Sequence, residues 1–187
     1  MQRDRFGGQF DAVLAAANRR EPWALERIFQ SLSPVVAGYL RLQGCREPDD
    51  LTSEVFLGVF RNLASFDGGE GEFRSWVFTI ARRRLLDERR RLSRHPDPEP
   101  LSTMTDPEAA DDVQGSVDEA IATERVQALC KRLVPDQREV LLLRLVGQLS
   151  VEEVAAAVGK TQGAVRALQH RGFLAIGRLM KREGMVL

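Results

Sequence analysis

The chain has 187 residues, 43% hydrophobic and 29% charged, enough apolar material for packed cores and too little charge for an intrinsically disordered chain. It holds no run of about 18 apolar residues, and its acid-bearing start lacks the apolar stretch of a secretory signal, so no membrane span and a soluble, cytoplasmic protein are expected. The zero net charge conceals a segregation: residues 1–95 carry 16 Lys/Arg against 13 Asp/Glu, residues 96–124 none against 9, and residues 125–187 carry 11 against 5, so two basic blocks flank an acidic spacer.

Both flanking blocks space their apolar residues at helical intervals, and neither shows the alternation of a strand, so an all-helical chain without internal repeats is expected. In the first block Trp23 to Leu42 reads as one helical stretch, broken or bent at Pro34. Asp49 and Asp50 open a second helix in which Leu51, Val55, Phe56, Val59, Phe60 and Leu63 form a buried stripe. The Asp-Gly-Gly-Glu-Gly run at 67–71 breaks it. A third, long helix follows from about Phe73 to Leu92.

From His95 to Ser116 four prolines and many acids leave too few large apolar side chains to offset ordering entropy, and a flexible linker is expected. Beyond it Val117 to Leu133 is amphipathic, and Pro135–Asp136 start a helix reaching Val146. Ser150-Val-Glu-Glu153 has the form of a capping box. Gly159 ends that helix and Thr161 caps the next, so a short helix, a Gly-containing turn and a longer helix make a helix-turn-helix. Two small helical domains, residues 1–95 and 123–187, are therefore expected on either side of a spacer over 96–122.

Opposite its apolar stripe the second helix presents Asp50, Glu54, Leu57 and Arg61. A leucine among charges on a solvent face marks a partner contact, although single exposed leucines are common. The third helix buries Phe73, Trp76, Val77 and Ile80, and gathers Arg82, Arg83, Arg89 and Arg90 over the opposite arc. That arc reads as a phosphate-facing surface, with a merely solvated face as the competing reading. Arg84 and Asp87, near the buried side at i, i+3, read as a structural pair. Trp76 is open to two roles, core residue or platform for an unpaired base. The last helix buries Val165, Leu168, Gly172, Ile176 and Leu179 and leaves Arg166, Ala167, His170 and Arg171 outward, where major-groove base edges and phosphates are met. Cys45 and Cys130, far apart and outside any CxxC spacing, read as reduced thiols, and neither a disulfide, a zinc site nor a cofactor is expected.

These residues carry a resemblance. The segment Asp49-Asp-Leu-Thr-Ser-Glu-Val-Phe-Leu-Gly-Val-Phe-Arg-Asn-Leu63 resembles the polymerase-binding helix of the extracytoplasmic-function sigma factors of bacterial RNA polymerase. Phe73-Arg-Ser-Trp-Val-Phe-Thr-Ile-Ala-Arg82, with Asp87 and the arginines around it, resembles their promoter-melting helix. Leu133-Val-Pro-Asp-Gln-Arg-Glu-Val140 and Ser150 to Arg171 resemble their C-terminal domain. The resemblance implies that Asp49, Asp50, Glu54, Leu57 and Arg61 meet core polymerase. It implies that Asp67, Glu70, Phe73, Arg74, Trp76, Arg82, Arg83, Arg89 and Arg90 serve the minus-ten element, with a flipped base held near the 67–72 loop. It assigns the minus-thirty-five element to Lys160, Thr161, Gln162, Arg166, His170 and Arg171, threads the linker through the polymerase cleft, and allows an anti-sigma factor among the partners. Arg83 stands where the family often has Asn, and Leu168 where it often has Arg.

A helix-turn-helix repressor or activator acting without polymerase competes with this reading, but leaves the first 95 residues and the Asp50/Glu54/Leu57 face without a task. An enzyme is not expected: the chain has two histidines and neither a P-loop nor a nucleophile motif.

Overall fold

A computed structural model of the chain describes residues 6–94 and 124–182, and among these every regular element is helical. The acidic spacer expected over 96–122, and residues 117–123 of the amphipathic stretch before Leu133, lie outside the described residues.

Three of the helices begin with proline at their first turn, where its missing N–H costs nothing and its fixed φ already suits the helix. These are α2 (Pro22–Leu42), α3 (Pro48–Asn62) and α6 (Pro135–Leu145). Pro34 lies within α2, so the stretch from 23 to 42 is a single helix and not two. It buries Ala24, Ile28, Leu32, Val36 and Tyr39 along one side, the i, i+4 spacing of a single face. A first helix that the sequence reading passed over, α1 (Phe10–Asn18), buries Phe10, Val13, Ala16 and Ala17. Its stripe is short and alanine-rich, so the apolar signal is weak.

Helix α3 passes through a 3-10 turn (Leu63–Ser65) and the glycine-rich loop into α4 (Glu70–Arg94). Gly68 adopts φ +153, and a Cβ there would lie 3.1 Å from both Phe66 and Glu72, so the loop closes tightly only with glycine. Helix α4 buries Phe73 and Val77, as expected, while Trp76 and Ile80 are half-buried. It also buries a second stripe, Arg74, Phe78, Ala81 and Leu85, because its other side packs on α2 and on the C-terminal helices. Tyr39 of α2 meets Phe78 edge-on at 5.4 Å, and Phe10 meets Phe73 at 5.4 Å. Each fully buried large side chain of this kind contributes about 1.5–3 kcal/mol by leaving water.

The C-terminal helices are α5 (residues 124–131), α6, α7 (Val151–Val158) and α8 (Gln162–Arg182). Val140, Leu143, Val154, Val165 and Leu168 make their common core. Gly172 lets α8 approach α6, since a Cβ there would stand 2.6 Å from Leu141 Cδ1. Of the apolar face expected on α8, Val165, Leu168 and Gly172 are buried, and Ile176 and Leu179 are half-buried. The described residues form one continuous core: α7 lies against α4, and Gly147 sits beneath the Phe78 ring.

Candidate nucleic-acid interface

Helix α3 separates its two faces as the wheel predicts. Leu51, Val55, Phe56 and Val59 are buried, and Thr52 Oγ1 donates to the Pro48 carbonyl at 2.7 Å. Asp49, Asp50, Glu54, Leu57 and Arg61 are all exposed, with Leu57 54% accessible. The two aspartates stand in the first turn, where the helix dipole favours negative charge. Asp49 also lies 3.6 Å from Arg41. A shallow cleft of about 180 Å³ runs between this face and α4, lined by Asp50, Glu54, Arg84, Asp87 and Arg91 among others.

The arginines of α4 are not equally free. Arg82 points to the C-terminal helices, where its Nε lies 2.7 Å from Glu139 Oε1. Arg83 lines a cleft of about 340 Å³ toward α3, with Gly58, Asn62 and Ile80. Arg89 Nη2 donates to the Gln43 carbonyl at 2.5 Å, and Arg90 lies 3.2 Å from Asp87. The phosphate-facing arc is thus corrected in part: Arg83, Arg89 and Arg90 are exposed, but Arg82 is tied to Glu139 and Arg89 to the Gln43 carbonyl. The expected Arg84–Asp87 pair is corrected as well. Arg84 lies 3.9 Å from Glu54 on α3, and Asp87 is held by Arg90 one turn on.

At the N-terminal end of α4, Asp67 is exposed and Glu70 half-buried. Phe73 is fully buried and Arg74 is 2% exposed, so in this arrangement both belong to the interior and not to the surface expected for them. Trp76 combines the two roles left open for it: half-buried, it packs 5.3 Å from Phe66 and 5.7 Å from Phe73 while keeping solvent access. Phe66, which the sequence reading did not single out, joins Phe73 and Trp76 in this cluster. Its signal was available, an aromatic residue immediately before the glycine-rich breaker.

The helix-turn-helix is built from reciprocal backbone caps. Ser150 Oγ accepts from the Glu153 amide at 3.1 Å, and Glu153 Oε2 accepts from the Ser150 amide at 2.5 Å. Gly159 closes α7 in the left-handed region at φ +68, where glycine carries no Cβ penalty. Thr161 Oγ1 then accepts the Ala164 amide at 3.2 Å, which fixes the start of α8. Thr161, Gln162, Arg166, His170 and Arg171 are exposed on one side of α8, and Lys160 reaches back to Asp136 at 3.0 Å. Among the described residues Arg166 has long, exposed polar contacts with Gln162 at 3.3 Å and Glu152 at 3.9 Å, so its guanidinium can be redirected at little cost. Leu168 is buried and seals α8 against the domain core, which explains an apolar residue at that position.

Burial pushes the Tyr39 hydroxyl well above its ordinary range, with the nearby Glu139 carboxylate adding to the effect. Burial likewise pushes the Cys45 thiol up to about 11, and raises Cys130. Both cysteines are free. No helix of the described residues is long and apolar enough to cross a membrane.

Comparison with known proteins places these elements. Residues 28–95 match the family model "Sigma-70 region 2", and residues 123–176 match "Sigma-70, region 4". The chain is 34% identical over 172 residues to the ECF RNA polymerase sigma factor SigD of Mycobacterium tuberculosis, covering 88% of this chain and 81% of that one. It is 32% identical over 171 residues to the ECF RNA polymerase sigma factor BldN of Streptomyces coelicolor, covering 90% and 64%. Among solved structures, CnrH in complex with the cytosolic domain of CnrY matches with TM-score 0.68 at 20% identity, covering 91% of this chain and 96% of that one. The sigma factor RpoE in complex with the anti-sigma factor NepR from Bartonella quintana matches at 0.61 and 21%, covering 83% and 96%. At these identities the two structures speak for the fold.

Proposed function

Because the chain belongs to the extracytoplasmic-function sigma factors, which direct promoter-specific initiation by RNA polymerase, we propose a division of that work among its helices. Residues 1–95 bind core polymerase and serve the minus-ten element, residues 96–122 connect, and residues 123–187 read the minus-thirty-five element. The observation that carries the reading is the capped helix-turn-helix, with Val165 and Leu168 inward and Arg166, His170 and Arg171 outward. A helix fixed at its N-terminus with basic side chains on its open face is the form that enters a major groove.

On the polymerase side, Asp49, Asp50, Glu54, Leu57 and Arg61 form an exposed face that combines carboxylates for a basic partner with an apolar anchor. The minus-ten contacts fall to Asp67, Glu70 and Trp76 around the loop and to Arg83 and Arg90, which are open. Arg82 is tied to Glu139 on α6, and Arg74 lies in the interior, so neither is open in this arrangement. Lys160, Thr161 and Gln162 lie where phosphates flank the groove. The protein works in the cytoplasm, without a catalytic role or cofactor of its own. Its partners are core polymerase and promoter DNA, and an anti-sigma factor is a further one.

The test is binding of the full chain to core polymerase. Glu54→Gln with Leu57→Ala should weaken it by about tenfold or more, the loss of one interface anchor. Thermal unfolding should change by less than about 1 kcal/mol, since Leu57 is already half-exposed and Glu54 makes only a long, exposed pair with Arg84. Unchanged binding with a large loss of stability would remove the polymerase contact from this face.

A further inference from the structure

We propose that the groove between α1 and α2 is a docking site for a separate protein partner, which inserts a short segment carrying a carboxylate for Arg27 and a large apolar side chain for the open face of Trp23. The groove uses no residue assigned above to polymerase or DNA, so the proposal does not rest on that reading.

The cleft holds about 270 Å³ and is lined by Gln9 and Val13 of α1 and by Trp23, Glu26, Arg27 and Gln30 of α2. Val13 is buried and the other five are exposed. Trp23, Arg27 and Gln30 recur at i, i+4 and i+7, so they form one stripe along α2. From Trp23 to Gln30 the stripe is about 10 Å long at 1.5 Å per residue. That is the span of about three residues of extended chain.

Trp23 stands in this groove as a fixed anchor. Pro22 starts α2, the Glu21 amide donates to the Ala16 carbonyl at 3.2 Å, and the Arg20 amide donates to the Ala17 carbonyl at 2.9 Å. Arg20 lies in the left-handed region at φ +62, where a residue other than glycine is held by its surroundings and not by its own preference. Glu21 accepts from Trp23 Nε1 at 2.6 Å and from Arg19 Nε at 2.8 Å. These two bonds hold the Glu21 carboxyl below its ordinary range. The indole N–H is thus satisfied within the chain, while Trp23 stays 52% exposed. Such a ring can bury apolar area on a partner with little further loss of freedom.

Charge selects the occupant. Both carboxylates beside the ring are engaged: Glu26 accepts from Gln30 Nε2 at 2.8 Å, and Glu21 is paired with Arg19. Arg27 has no ion pair or hydrogen bond among the described residues, and its planar guanidinium suits a carboxylate from outside. Tryptophan and arginine are also the side chains that most often anchor protein interfaces. A nucleic-acid strand fits less well, because Glu21 and Glu26 would face its phosphates.

The experiment selects a phage library of random peptides on the immobilised full chain, with counter-selection on Trp23→Ala/Arg27→Glu. Enriched sequences should combine Asp or Glu with a large apolar residue. Synthetic copies should bind the wild type and lose about tenfold or more with Trp23→Ala or with Arg27→Glu, the effect of one interface anchor. Replacing the peptide's acid by lysine should restore binding to Arg27→Glu. Should Trp23→Ala lose helicity by circular dichroism, Arg27→Glu and its lysine-peptide rescue decide the point. No enrichment, enriched sequences without acids, or peptides that bind the double variant as well as the wild type would each overturn the proposal.

Three further readouts exclude other occupants. The double variant should bind core polymerase within about twofold of wild type, as for residues outside an interface; a large loss would give the groove to polymerase. Labelled oligothymidine should show no binding that depends on Trp23 and Arg27, and such binding would give it to nucleic acid. Light scattering should find the wild type monomeric; a dimer that Trp23→Ala dissolves would give it to a second copy. Any one of these results would overturn a separate protein partner.

Discussion

Replacing Arg166 with alanine separates folding from DNA reading, because the free protein gains so little from this side chain. Its bond to Gln162 is 3.3 Å and its ion pair with Glu152 is 3.9 Å, between side chains 63% and 60% exposed. Exposed pairs of this kind contribute about 0.2–1 kcal/mol, and alanine at a helical position recovers part of that. The stability change should therefore stay within about 0.5 kcal/mol, a shift of roughly 1–2 °C in Tm for a chain this long. On DNA the loss should be larger and should carry a signature. If Arg166 meets a base edge, about 1–3 kcal/mol disappears, roughly 5- to 150-fold, and preference relaxes at one position. If it meets a phosphate, every sequence weakens and the salt slope falls by about 0.9. The assay is run-off transcription with core polymerase on two templates, one with an intact minus-thirty-five element and one with a pre-opened bubble. Only the first should suffer. Equal loss on both would refute α8 as the recognition helix and move Arg166 to assembly or folding.

Ser150→Ala should destabilise the helix-turn-helix by about 1 kcal/mol, because it removes the hydroxyl that accepts the Glu153 amide while leaving the reverse bond intact. Chemical denaturation should show a lower midpoint with an unchanged slope. Cys45 is 8% exposed with its thiol pushed up to about 11 by burial, from an ordinary 9.0, so at pH 8 it should react with a maleimide far more slowly in the native chain than in denaturant. Because the folded thiol holds its proton more tightly than the unfolded one, its contribution to stability should be complete below pH 9 and fall away as pH rises toward 11. Fast native labelling, or stability flat across that window, would contradict the packing around Cys45.

Much of this protein was legible in the residues themselves, because its signals are local. Capping geometry depends on four consecutive residues, so Ser150 to Glu153 announced the start of α7, and Gly159 its left-handed end. Amphipathic spacing depends on one helix, so the sorting of Leu51, Val55, Phe56 and Val59 from Asp50, Glu54, Leu57 and Arg61 followed from helical periodicity alone, as did the outward placing of Arg166, His170 and Arg171. The order of the motifs pointed to the family. Tertiary structure decided what a single helical wheel cannot contain. A wheel assigns one buried side, but α4 is packed on two, so Arg74 went inside and Arg82 and Arg89 were tied to Glu139 and to the Gln43 carbonyl. It decided that Arg84 pairs across to Glu54 and not along its own helix to Asp87. It also set Arg82 against Glu139, 57 residues apart in the chain. Periodicity reports where water is excluded along one element. Which side chain meets which across a gap is fixed only when a second surface arrives, and here that surface comes from the far end of the chain.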